Sequence, residues 1–297
     1  MELWVILAIT AAAAQTIRFA IQKVLAGVAL SPAATTWARF LWSAPVVIAI
    51  MTAYIAVTPA TLPNVKPSFW PYALSGGATQ ILATICTVAL FKRRSFAVGI
   101  TFKKTEVMLT ALAGFVILGD LLDPLGAAFI ALGFIGVMLL SKAPEGGGIF
   151  NKSAAIGLLS GIFFALSAIG YRGAVLAIDS ADTFLVAGLT LAFVATAQAL
   201  ALGLWLVLRE PGQITETLKS WRKSSLVGVF SLIGSWCWFA AFSLQNAAYV
   251  FAVGQIELIF SLAVGVLFFR EKTSRRELFG MGLLTISITT VTLIGST

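Results

Sequence analysis

Ten apolar runs, most of them about as long as a bilayer is thick, constrain this chain more than anything else in it. They lie at 3–25, 33–57, 70–91, 96–118, 125–141, 153–176, 182–207, 224–243, 248–269 and 278–295. A helix crossing the hydrocarbon needs about 20 apolar residues. The chain is 59% hydrophobic and 11% charged, whereas soluble domains carry about 25% charged residues. So little polar surface cannot cover so much apolar side chain in water. The expected fold class is an all-α membrane protein with ten transmembrane helices. Turn-forming stretches such as "LSPA", "TPATLPNVKP", "KAPEGGG" and "REPGQ" mark the joints. The first residues, "MELWVILAITAAAAQ", have no basic region, which favours a first span over a cleaved leader.

Charge sorts by loop. The odd-numbered loops hold Lys92, Arg93, Arg94, Lys142, Lys152, Arg209, Lys219, Arg222, Lys223, Arg270, Lys272, Arg275 and Arg276, while the even loops and tails hold only Lys66. The positive-inside rule then makes the odd loops cytoplasmic and turns both termini outward. The net charge of +8 belongs to membrane topology rather than to a nucleic-acid partner. The expected location is a bacterial inner membrane, crossed many times by a monomer embedded in lipid.

The chain also repeats. A shift of 151 positions lays Cys86 on Cys237, Ala89 on Ala240, Phe91 on Phe242, Glu106 on Glu257 and Gly114 on Gly265. Thr84 meets Ser235, Thr110 meets Ser261 and Asp120 meets Glu271. These matches indicate a five-span unit used twice, over 1–145 and 146–297. Because five is odd, the second copy enters the membrane from the other side. The expected architecture is a 5+5 inverted-topology repeat, an arrangement that holds substrate near the midplane and permits alternating access.

Charges inside the spans are the candidate functional residues. Glu106 and Glu257 each fall about eleven residues into their spans, roughly 16 Å deep at 1.5 Å per residue. Lys103, Glu106, Thr110 and Gly114 share one face of span four, and Gly254, Glu257, Ser261 and Gly265 share one face of span nine. The small residues predict a seam between the two spans. An unpaired charge at this depth costs at least ~2.5–3.5 kcal/mol. Lys103 could therefore pair with Glu106 and merely brace the bundle. Alternatively, Lys103 or Lys104 meets a substrate carboxylate while Glu106 or Glu257 meets an ammonium group or a proton, which suits an amino acid-like zwitterion. Gln80, Gln15 and Gln255 could bond a ligand or a neighbouring helix. Trp236 and Trp238, inside span eight with Phe239, could stack on an aromatic or apolar ligand or simply face lipid. Phe163 and Phe164 are open in the same way. Arg39 reads as an interface anchor against a buried partner for a carboxylate, and Arg172 as a snorkelling side chain. For Arg18, inside span one, snorkelling is a poor explanation.

The segments "TEVMLTALAGFVILGD" and "IELIFSLAVGVLFFRE", followed by "GAAFIALGFIGVMLL" and "GMGLLTISITTVTLI", resemble the drug/metabolite transporter superfamily of the EamA type. That family often has proline where this chain has Val107 and Leu258. Within it, size, a polar fourth span and many aromatics look most like the aromatic amino acid exporters of the YddG type. The resemblance implies export of amino acids through a central cavity lined by both halves. Drugs or other metabolites are the alternative cargo, and a channel is the less favoured mode. No cofactor is expected. The chain has no histidine, which removes histidine metal sites and relays, and the GxxxxGK[ST] phosphate loop of ATP-driven pumps is missing. Cys86 and Cys237 stand alone in apolar runs and read as buried small hydrophobes. An enzyme is not expected, because no nucleophile–base pair is visible.

Overall fold

The structure is a computed structural model describing residues 2–28, 30–58, 62–91, 106–121, 123–140, 152–268 and 275–294. It is almost wholly helical. In chain order the elements are α1 (Leu3–Val28), α2 (Pro32–Val57), β1 (Asn64–Val65), α3 (Phe69–Phe91), α4 (Glu106–Ala113) and α5 (Pro124–Leu140). There follow α6 (Lys152–Leu176), β2 (Ile178–Asp179), α7 (Thr183–Arg209), α8 (Gln213–Lys219), α9 (Trp221–Leu244), α10 (Ala247–Gly254), α11 (Glu257–Leu267) and α12 (Arg275–Ile294). Among the described residues, seven helical segments are long and apolar enough to cross a membrane.

Local chemistry explains the boundaries. Ser31 caps α2, accepting from the Ala34 N–H at 3.0 Å, and Pro32 opens the helix where no N–H is needed. Asp182 caps α7 by accepting from the Phe184 and Leu185 N–H groups. After α4 the helix widens into a π-turn over Gly114–Leu118 and stops at Gly119, whose φ of 70° is left-handed. Glycine takes that conformation without the Cβ penalty.

The helices pack in a definite pattern. The most extensive contacts join α3 to α6, α1 to α9, α5 to α12 and α2 to α7. α3 and α6 approach backbone to backbone: a Cβ on Gly170 would lie 2.7 Å from the Gly76 Cα. The expected seam between spans four and nine takes another form. α4 packs chiefly on α6 and also on α10, whereas α11 lies against α1. A Cβ on Gly114 would be 3.4 Å from Ile169 of α6, so this small residue serves the α4–α6 contact.

The apolar surface is turned outward. On α7, Leu200, Leu204 and Leu208 are 62–70% exposed, while Val194, Gln198 and Leu202 are buried. Such a face is stable only against lipid. At one end, β1 and β2 pair antiparallel, Asn64 opposite Asp179, and Lys66 bridges to Asp179 at 2.8 Å. Near the other end, Ser31 bonds Glu210, and its N–H donates to Gln213 Oε1 at 2.8 Å. The apolar spans make the protein a multi-pass membrane protein.

Candidate functional site

Inside this apolar bundle lies a cavity of about 20 Å³, lined by Gln15, Arg39, Gln80, Glu106, Phe164, Ser167, Ala168, Tyr171, Ser235, Trp238, Phe239, Phe242 and Phe251. That leaves room for little more than a water molecule. Its walls come from α1, α2, α3, α4, α6, α9 and α10, so both halves of the sequence contribute. Its lining combines polar side chains with a set of aromatic rings. Trp238 stacks on Phe242 at 5.9 Å and meets Phe251 edge-on at 5.2 Å, while Tyr171 meets Phe239 edge-on at 4.5 Å. Ser167 donates to Gln80 Oε1 at 3.1 Å.

The predicted site residues divide. Gln80, Glu106 and Trp238 line the cavity, as does Gln15. Trp236 turns away: its ring packs at 4.5 Å from Phe184, against the α2–α7 side of the bundle. Gln255 lies in a separate small cavity with Val107, Ile130, Gly133, Phe134, Ala252 and Ser287, and its amide donates to the Phe251 carbonyl at 3.0 Å. Glu257 is fully buried and within electrostatic reach of Arg18. Lys103 and Lys104 lie outside the described residues.

Two of the arginines, Arg39 and Arg172, are what spacing alone misjudged. Arg39 is 5% exposed and lines the cavity, so it is not an interface anchor. It donates to Ser231 at 2.6 Å, Ser235 at 2.8 Å and Thr84 at 3.4 Å. Thr84 and Ser235, matched by the 151-residue shift, thus hold one guanidinium between them. Arg18 is 2% exposed, donates to Gln22 and Gln15, and lies 4.1 Å over the Phe19 ring. Arg172 is 8% exposed and does not snorkel. All five of its N–H groups find acceptors: Asp120 twice, the carbonyls of Phe242 and Gln245, and Asn246 Oδ1. It pins the end of span four to the α9–α10 junction.

Span nine breaks beside this site even though Leu258 stands where a proline would force a kink. α10 stops at Gly254 and α11 starts at Glu257. Between them the N–H groups of Gln255, Ile256 and Leu258 bond three residues back, to Ala252, Val253 and Gln255. That tightened turn interrupts the ladder without proline.

No curated protein sequence matches the chain. One crystal structure, described only as that of a protein, superposes with a TM-score of 0.71 over 99% of this chain and 97% of that one, at 16% identity. A likeness so remote in sequence speaks for the fold alone. Residues 151–293 match the EamA-like transporter family, so the second half of the chain is similar to that family.

Proposed function

We propose that the protein is a secondary transporter of small molecules, with the central cavity as its substrate site and amino acids with apolar or aromatic side chains as its cargo. The observation that carries this reading is the cavity itself. It is a buried pocket bearing one arginine, one glutamate, several amide and hydroxyl groups and a set of aromatic rings, drawn from both halves of the chain. A guanidinium held in such an interior by neutral groups is costly unless it meets a ligand or water. Glu106 suits an ammonium group or a proton, and Trp238, Phe242 and Phe251 suit an apolar side chain. The cavity is too small for an amino acid in the arrangement described, so substrate enters only when the bundle opens.

The helix pairing supports an internal two-fold. Exchanging each span with the one five places along turns α3–α6 into α9–α1 and leaves the α2–α7 and α5–α12 pairs in place. We read the architecture as ten spans in a 5+5 inverted repeat, the halves rocking about the fixed site with both termini outward. The test is counterflow of labelled L-amino acids into liposomes holding the purified protein, with and without a pH gradient. Saturable counterflow of apolar and aromatic amino acids is expected. Flux that rises linearly with concentration would make it a channel, and no amino acid flux at all would contradict the cargo assignment.

A further inference from the structure

Arg39 stands apart from every other buried cation in the described structure. Arg172 has a carboxylate and a full set of acceptors. Arg18 has Glu257 within electrostatic reach. Arg39 has three neutral hydroxyls and the face of the Phe40 ring at 5.1 Å, and one N–H on each terminal nitrogen is left without an acceptor among the described residues. A guanidinium buried to 5% exposure, facing a cavity and with no carboxylate bonded to it among the described residues, is poorly compensated. Hydroxyls hold its plane in position without neutralising its charge.

We propose that Arg39 is the residue that binds the carboxylate of the transported solute, with Thr84, Ser231 and Ser235 as the cradle that orients the guanidinium. This rests on the reading of the central cavity as the substrate site. It moves the cationic role from Lys103 and Lys104 to an arginine on α2. The geometry fits the chemistry: two spare N–H groups on a planar fork match the two oxygens of a carboxylate better than a single ammonium does. The ring of Trp238 and the carboxylate of Glu106 line the same cavity, where the rest of an amino acid would lie.

The test compares L-phenylalanine, phenylpyruvate and phenylethylamine on wild type, R39K and R39M. It measures thermal stabilisation of the purified protein and counterflow in liposomes. Both acids should stabilise the wild type. R39M should weaken both acids roughly 10- to 100-fold, the worth of hydrogen bonds to a charged group, and leave the amine unchanged. R39K should fall between. Without ligand, R39M should unfold at or above the wild-type temperature, because an uncompensated buried charge is removed. Lower unligated stability with equal loss of all three probes would make Arg39 a structural brace and overturn the assignment. Binding of phenylpyruvate but not phenylalanine would keep the Arg39 assignment and sink the zwitterion reading. Binding of the amine alone would sink the Arg39 assignment and leave the transporter reading standing. If neither acid, nor alanine, nor pyruvate acts on the wild type, the carboxylate assignment is wrong.

Discussion

Two buried arginines show how the same side chain serves opposite ends. Arg172 spends every N–H on acceptors that the fold supplies, and so fixes one end of the bundle. Arg39 keeps donors in reserve over a cavity. At the same scale, Asp182 ties α7 to α2. Burial opposes its charge, but the Tyr54 hydroxyl at 2.6 Å and two backbone N–H groups outweigh this and hold the carboxyl below its ordinary value of 3.8. A depressed folded pKa means the stabilisation is present above the unfolded value and is lost as pH falls through the folded one. Tyr54→Phe should therefore flatten the loss of thermal stability between neutral and strongly acidic pH, read as unfolding temperature in detergent. An unchanged acid limb would show that this bond does not matter. The sequence revealed that these residues are polar and how deep they sit along a span. It did not reveal direction around the helix, and direction separates Trp238 in the cavity from Trp236 two residues away.

At the scale of elements, the helix positions among the described residues were legible because apolar length and turn chemistry set them locally. Helix partners were less so. Small residues at i, i+4 spacing announce close approach but do not name the neighbour, and Gly114 met α6 instead of span nine. The break in span nine was also hidden, because three-back hydrogen bonds at Gln255, Ile256 and Leu258 replace the proline that would have signalled it. The α3–α6 contact gives a direct check. Gly170→Ala would drive a Cβ into Gly76 backbone atoms at 2.7–2.8 Å, and overpacking of this kind costs about 1–3 kcal/mol. Gly27→Ala meets open space and should be neutral or mildly stabilising. Unfolding temperatures of the two variants should separate clearly, and equal values would mean that α3 and α6 do not approach so closely.

For the whole molecule, an apolar outer face and a polar interior follow from one constraint. In lipid the outward surface must be apolar, and polar groups survive only where other groups or water satisfy them. The cavity gathers such groups from both halves of the chain, and the proposed substrate path requires that it open to water. The most direct test places a thiol there by Ser167→Cys in a background without the native Cys86 and Cys237. Ser167 is 1% exposed and lines the cavity, while Leu204→Cys on the lipid face serves as the control. A charged, water-soluble thiol reagent should reach position 167 during turnover, block counterflow, and be slowed by substrate, with the control unaffected. A thiol at 167 that stays unmodified while substrate moves, or whose modification leaves counterflow intact, would contradict a substrate path through this cavity.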